Sequence, residues 1–255
     1  MPNQATAFAL IGDRYHNSDY IRTALRRTLV QGVGLSIDFT DDVTQLNAEN
    51  LTGAGYRLLI LFRDGMTWPN GYGETAFWNG RADVVPITSE PPVPQEEVRM
   101  EYWMTEAQGK AIRAFVEGGG SALLMHNVTY IATKNADFRH TLGAATEGHP
   151  PVRPFKVAVT NPSHPIMQGA SDFVVTDEQH YMTYDGDPAH VLMRSHNEDG
   201  LTFKELGTSC EAGWAYDYGQ GRVCYLAPGH TIPALWNPAY VGIQQNAVRW
   251  LLRQI

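Results

Sequence analysis

The sequence is poor in cysteine: its 255 residues include only Cys210 and Cys224. The two do not have the C-x-x-C spacing of a zinc site. They flank a segment that predicts a β-hairpin, with its turn near residues 219–221. In that hairpin Cys224 lies opposite a residue near Tyr216 and Cys210 lies beyond the facing end, so a disulfide would need a broken strand register. We therefore predict two free, buried thiols.

Long apolar runs and clusters of basic residues are also missing. No run reaches the ~18 residues that a membrane-spanning helix needs, and the N-terminus lacks the charged start and apolar core of a signal peptide. Nineteen Lys and Arg against 27 Asp and Glu give a formal net charge of -8, with no basic stripe that would bind a phosphate backbone. The sequence predicts a cytoplasmic protein that binds neither nucleic acid nor a membrane.

Several catalytic signatures are absent as well. There is no G-x-S-x-G nucleophile elbow and no H-E-x-x-H motif in the sequence. The glycine-rich turn at Gly118–Gly120 lacks the spacing of a phosphate-binding loop, so no nucleotide cofactor is expected in this chain. Neither cysteine follows a strand into a helix, which argues against a thiol nucleophile.

What the sequence does contain is an alternation of apolar strands and amphipathic helices, with 43% hydrophobic residues to form a core. Apolar runs predict strands at 5–12, 35–39, 57–62 and 121–125. Helical spacing predicts one helix from an N-cap at Ser18 to Gly32 and another from Thr105 to Val116. This order predicts a three-layer α/β/α sandwich with a mainly parallel sheet.

The second half of the sequence adds short strands that are typical of antiparallel pairing. They are predicted at 155–159, 173–176, 190–193 and 214–226, before a terminal helix at 238–252. We treat the chain as a single domain, 1–255, with an insertion at about 63–103, because that segment far exceeds the usual connection of ~4–6 residues. The insertion is a lid or an oligomer contact, compatible with a homodimer. Its aromatic residues either offer flat faces to sugar rings or pack in that contact: Trp68, Tyr72, Trp78 and Trp103.

Ionisable residues follow several of the predicted strands. In open α/β sheets, ligands bind beyond the carboxyl ends of the strands, so these residues are the candidates for a site. The rule first points to the loop from Asp13 to His16. The candidates that we select are His16, Arg63, Asp64, His126, Asn127, Glu178, His180, Tyr181 and His230.

These candidates suit two kinds of chemistry. An imidazole at the end of a buried strand, such as His126, needs a partner, and Glu178 shares one face with His180 if its strand continues. Three imidazoles and a carboxylate suit either general acid–base catalysis or a divalent metal such as Zn²⁺. Two of these histidines also have interpretations without a functional role, because His16 can be a solvated loop residue and His230 follows a turn. The remaining histidines are interpreted as surface or loop residues: His140, His149, His164, His190 and His196.

The order of several short motifs resembles the trehalose utilization (ThuA-like) family of bacterial sugar catabolism. The motifs are Gly118–His126, His164–Ile166, Asp177-Glu178 with Tyr181, Tyr218–Val223, Gly229-His230 and Asn246–Trp250. The resemblance implies a flavodoxin-related fold like that of the class I glutamine amidotransferases. It also implies a role in the catabolism of disaccharides and their keto derivatives, with an NAD-dependent oxidoreductase as a pathway partner.

The resemblance favours His16, His126, Glu178 and His230 as the pocket. Amidotransferases of this fold carry a cysteine where this chain has His126, so amide hydrolysis is not expected.

The first hypothesis is an enzyme acting on a glycoside or its 3-keto derivative by hydrolysis, elimination or isomerisation. In it His126 and Glu178 exchange protons with a sugar substrate, while His16 and His230 orient it or join His126 in binding metal. The alternatives are a non-catalytic sugar-binding or oxidoreductase-partner protein, and a hydrolase with another nucleophile.

Overall fold

The computed structural model describes residues 5–69 and 99–255. Its strands are β1 (Ala7–Ile11), β2 (Ile37–Thr40), β3 (Leu58–Phe62), β4 (Met66–Thr67), β5 (Glu101–Tyr102), β6 (Ser121–Met125), β7 (Ala144–Gly148), β8 (Arg153–Val159), β9 (Phe173–Asp177), β10 (Tyr181–Tyr184), β11 (Val191–His196), β12 (Ser209–Tyr218) and β13 (Gly221–Leu226). Its α-helices are α1 (Ser18–Leu25), α2 (Glu106–Glu117), α3 (Ala136–Leu142), α4 (Ile232–Leu235) and α5 (Pro238–Leu251). Shorter helical turns cover Arg26–Gln31, Val43–Gln45, Glu49–Gly53, His126–Thr133, Pro165–Met167 and Pro188–His190.

One large sheet organises the described residues. Its strand order is β2-β1-β3-β6-β13-β12-β11-β8-β9. The pairs from β2 to β13 are parallel, and the pairs from β13 to β9 are antiparallel. The predicted fold class is therefore confirmed, including the added antiparallel strands in the C-terminal half.

The central parallel strands are covered on both faces. Every residue of β1, β3 and β6 is buried, as their unbroken apolar sequences predicted. The β1–β2 and β3–β6 crossovers run in opposite directions along the sheet, and right-handed crossovers then place α1 and α2 on opposite faces. The terminal helix α5 packs on β6 and β13 with the turn at 26–31, while α2 packs against α3. These helices complete the three layers.

The helix ends agree with the predictions at one position and differ at two. Thr105 caps α2 through a capping box with Gln108, whereas the helical run that continues from α1 passes the predicted stop at Gly32 and ends at Val33, before Gly34 with φ of 71°. The predicted cap at Ser18 is wrong by one residue. Asn17 is the cap, because its backbone is extended and its side-chain oxygen accepts a hydrogen bond from Asp19 N at 2.7 Å.

The hairpin prediction is confirmed. Strands β12 and β13 pair up to Tyr218 and Gly221, so the turn lies between them. Cys224 pairs with Ala215, while Cys210 lies farther along β12. Both cysteines are free and buried.

The predicted insertion is described only at its two ends. There β4 and β5 form a short antiparallel ribbon. Trp103 lies in the core and its indole donates to Asp64 O at 2.6 Å, so its ring does not offer an open face to a sugar. Tyr72 and Trp78 lie outside the described residues. Across 5–69 and 99–255, no helix is long and apolar enough to span a membrane.

Candidate functional site

Four predicted side chains converge at the carboxyl ends of the parallel strands. His16 follows β1, His126 follows β6 directly, His230 follows β13, and Glu178 follows β9. One ligand atom from each lies within 4.8 Å of all the others. Residues far apart in the sequence thus meet near the point where the chain order reverses between β1 and β3, which is where open sheets bind ligands.

Asp13 fixes the loop that carries His16. Its Oδ1 accepts the backbone N–H groups of Tyr15 and His16 at 2.8 and 2.9 Å and lies 3.0 Å from His16 Nδ1. Its Oδ2 accepts from Asp64 N at 3.0 Å and from Asn127 Nδ2 at 2.8 Å. A single buried carboxylate therefore joins the loops after β1, β3 and β6.

His126 is held rigidly at the end of β6. It has φ of 55°, a left-handed conformation that is uncommon outside glycine and often found at functional sites. Its Nδ1 donates to Ala227 O at 2.8 Å, and its carbonyl accepts from Tyr225 Oη at 2.6 Å. The backbone of Gly229 passes so close that a Cβ there would be 2.7 Å from His126 Cβ. Only glycine fits at that position without a shift.

Asp177 connects the edge strand β9 to the loop after β13. Its buried carboxylate accepts from Gly229 N at 2.6 Å and from His230 N at 2.9 Å. This link explains how Glu178 reaches His230, although β9 lies at the far end of the sheet from β1. Glu178 Oε1 and His230 Nδ1 are 3.2 Å apart.

Two imidazole nitrogens face each other with their lone pairs. The Ala227 carbonyl can only accept, so His126 Nδ1 carries a hydrogen and His126 Nε2 does not. Asp13 Oδ1 at 3.0 Å favours a hydrogen on His16 Nδ1, although the Asn127 amide nitrogen lies 2.8 Å from the same atom, and the two Nε2 atoms are only 3.0 Å apart. His230 Nδ1 is also 3.0 Å from His16 Nε2. With a hydrogen on each Nδ1, this arrangement requires a positive charge among the nitrogens, either a proton or a metal ion.

The electrostatics of the metal-free cluster agree with that requirement. Burial opposes charge on His16, but its hydrogen bonds with Asp13 and Glu178 prevail and raise its pKa to about 9. Burial, together with the neighbouring His180, lowers the pKa of His126 well below its ordinary value. Burial also opposes charge on Glu178, yet its imidazole partners lower its pKa. In the metal-free cluster a single proton on His16, shared with the neighbouring nitrogens of His126 and His230, therefore lies where a cation would bind.

The spacing of the cluster fits a tetrahedral ion. Ligands at ~2.0–2.1 Å from a tetrahedral Zn²⁺ stand about 3.3 Å from one another. Here His126 Nε2 and His16 Nε2 are 3.4 and 3.8 Å from Glu178 Oε2, His230 Nδ1 is 3.2 Å from Glu178 Oε1, and the imidazole nitrogens are 3.0 Å apart, so the spacings lie on both sides of that value. The carboxylate on His16 and the carbonyl on His126 are the outer partners that metal-bound imidazoles usually have. The residues present therefore suit a divalent metal.

A cavity of about 350 Å³ opens beside the cluster, within the ~300–1,000 Å³ range of small-molecule sites. Six of the nine predicted residues line it, namely His16, Asp64, Asn127, Glu178, His180 and His230. His126 is fully buried behind them. Asp64 contributes a buried carboxylate oxygen that has no hydrogen-bond partner among the described residues. Burial and the nearby Asp13 raise the pKa of Asp64 to about 7.

The structure does not bring Arg63 and Tyr181 to this cavity. Arg63 Nη1 donates to Gly12 O at 2.5 Å and to Asp41 O at 3.2 Å, so its guanidinium supports the loop after β1. The Tyr181 hydroxyl accepts from Asn197 Nδ2 at 3.1 Å. Both contacts lie within the scaffold around the site.

Sequence reasoning missed His149, which the structure places in the site. It was interpreted as a surface residue, but its Nε2 lies 3.6 Å from Glu178 Oε2 and it lines the cavity. The reason is the pairing of β7 with β10, in which Gly148 faces Tyr181 and so sets His149 beside His180. Nothing in the hydrophobic pattern identifies that register. The Asp13-x-x-His16 spacing was the available signal for the carboxylate under His16.

Comparisons with known proteins were made on both sequence and structure. A family model described as ThuA, trehalose utilisation, matches residues 93–251, which is more than half of the chain. A putative ThuA-like protein from Bacteroides uniformis has 19% identity and a TM-score of 0.63, over 98% of this chain and 93% of that one. Another from Parabacteroides merdae has 15% identity and a TM-score of 0.67, over 98% and 90%.

A cytoplasmic protein from Salmonella typhimurium LT2 has 14% identity and a TM-score of 0.58, over 96% of this chain and 98% of that one. At these identities the three solved structures support the fold alone. A search of curated proteins finds no match to this chain.

Proposed function

The chain belongs to the trehalose utilisation family, ThuA, and from this premise we propose that it is a divalent-metal-dependent enzyme of carbohydrate catabolism. The proposed substrate is a disaccharide, a glycoside or its 3-keto derivative. One observation carries the proposal. His16 Nε2 and His126 Nε2 face each other at 3.0 Å beside Glu178 and His230.

The residues that would hold the ion are His16, His126, His230 and Glu178. A divalent ion supplies Lewis acidity that polarises a carbonyl or glycosidic oxygen. His126 is fully buried and does not line the cavity, so we assign it to holding and positioning the ion in place of direct proton exchange with the substrate. Glu178 borders the cavity and contacts four imidazoles of the pocket besides His126, so its charge orients them.

Asp64 is the group that we assign to proton transfer. It lines the cavity, and in the metal-free protein burial raises its pKa to about 7, which suits both giving and taking a proton near neutral pH. A 3-keto group acidifies the neighbouring C–H, so a base of this strength can begin enolisation or elimination. Proton transfer of this kind contributes ~10²–10⁴-fold to rate.

The cavity favours a small sugar over a polymer. Its volume of about 350 Å³ is near the lower limit for small-molecule sites. A 3-keto substrate would be made by an NAD-dependent oxidoreductase, which is the class of partner that we propose for the pathway. We place both reactions in the cytoplasm, as one structural neighbour is described as cytoplasmic.

Removal of metal is the direct test. Purified protein incubated with 3-keto-trehalose should release product, chelation should abolish turnover, and added Zn²⁺ or Mn²⁺ should restore it. Mass spectrometry measures bound metal, and chromatography measures product. Turnover that persists in fully metal-free protein would contradict the proposal. Thermal stabilisation by the sugar without any turnover would instead favour a non-catalytic sugar-binding protein.

Asp13→Asn should weaken metal binding without unfolding the protein. The amide cannot accept from all the donors that surround Asp13, so it no longer fixes the hydrogen on His16 Nδ1. Changes to such outer partners typically cost ~10–100-fold in metal affinity. Titration calorimetry with Zn²⁺ measures the change, and Asp19→Asn, an exposed position on α1, is the matched control. Equal affinities in the two variants would show that Asp13 does not orient His16.

A further inference from the structure

Two more imidazoles lie on the cavity side of Glu178. His180 Nε2 is 3.3 Å and His149 Nε2 is 3.6 Å from Glu178 Oε2. One ligand atom from each of these three residues lies within 4.8 Å of the other two. The rings of His149 and His180 are 4.7 Å apart at 32°. Glu178 therefore belongs to two groups of metal-ligating side chains at once.

The hydrogen-bond pattern of the second group is incomplete. His149 Nδ1 donates to Pro150 O at 2.9 Å, so its Nε2 presents a lone pair to the Glu178 carboxylate, which is itself an acceptor. His180 is 2% exposed, and its Nδ1 has no partner among the described residues. Nδ1 lies across the ring from the Nε2 that faces Glu178, so no neighbour fixes which nitrogen carries the hydrogen, and Nε2 can present a lone pair to an ion.

The number of imidazoles around Glu178 also exceeds what one carboxylate can satisfy. Five rings have a nitrogen within 4.0 Å of its oxygens: His16, His126, His149, His180 and His230. A carboxylate has about four lone-pair sites, and in the metal-free arrangement His126 and His149 present lone pairs while the proton of the cluster lies on His16. A cation on each side of Glu178 would turn these repulsive contacts into ligand bonds.

We propose that His149, His180 and Glu178 form a second divalent-cation site, with Glu178 as a carboxylate bridge between the two ions. The inference rests on the proposed function for its first ion, held by His16, His126, His230 and Glu178. Paired ions in enzymes stand ~3.5–4 Å apart and hold two oxygens of one substrate. Both groups border the same cavity, so the pair suits a sugar that offers two adjacent oxygens, such as a hydroxy ketone.

Metal stoichiometry tests the second site without any need for activity. Metal-free protein is dialysed against Mn²⁺, and the bound metal is counted by mass spectrometry. We expect two ions per chain in the unmodified protein and one in His149→Ala. The unmodified protein should also give the spin-coupled EPR signal of neighbouring Mn²⁺ ions, and the variant an uncoupled one. His149 is a quarter exposed, and His149→Gln, which keeps much of its volume, serves as a second variant.

The controls separate this inference from the proposed function. His140→Ala changes an exposed histidine on α3 and should keep two ions and the coupled signal. One ion in both the unmodified protein and His149→Ala would overturn the second site and leave the first intact. No bound ion in the unmodified protein would overturn both. Loss of both ions in a folded His149 variant would overturn the second site as a separate one.

Discussion

His126→Ala is expected to lose tight metal binding and turnover together. Changes to the outer partners of metal ligands cost ~10–100-fold in affinity, so loss of the ligand itself should cost more than about 100-fold. His126 Nε2 is the innermost of the four ligand atoms, and the left-handed backbone at His126 fixes its direction. With the methyl group of alanine in its place, that ligand atom is lost.

Metal affinity, kcat and thermal unfolding should be measured on the same preparation. The metal-free variant should remain folded, because the change also removes one of the two nitrogens that face each other at 3.0 Å. His140→Ala provides the control, since that residue is exposed and lies away from the cavity. A folded His126 variant with unchanged affinity for Zn²⁺ would remove His126 from the metal site.

The parallel strands and the two histidines that follow them, His16 and His126, could be predicted from the sequence because both depend on local patterns. Unbroken apolar runs identified β1, β3 and β6, and each run is fully buried. Once parallel strands are assigned, their carboxyl ends must share an edge. That geometry alone places His16 and His126 at the same edge of the sheet.

The rest of the site depends on contacts that no local pattern encodes. His149 reaches the cavity through the β7–β10 register, and a shift of one residue would turn it away. Glu178 reaches the cluster because Asp177 binds the loop after β13. Arg63 and Tyr181 were selected as candidates from their place after a strand, whereas the direction of a loop side chain is set by tertiary hydrogen bonds.

The site also draws on a part of the chain that the family model does not match. The matched segment covers residues 93–251 and contains His126, Glu178 and His230. His16 and its partner Asp13 come from β1 and the loop after it. The cluster would have two imidazoles without them, so the first strand is a required part of the proposed metal site.

Asp177→Ala is expected to lower the free energy of unfolding by about 2–5 kcal/mol, because it leaves two buried backbone N–H groups, of Gly229 and His230, without an acceptor. A loss of this size is a large share of the ~5–15 kcal/mol free energy of unfolding of a typical domain. Urea unfolding of metal-free protein measures it. Asp172→Ala, an exposed carboxylate that accepts from Val159 N, should change stability by less than about 1 kcal/mol. Equal stability losses in the two variants would mean that the loop after β13 holds its position without Asp177, and that another contact brings His230 to Glu178.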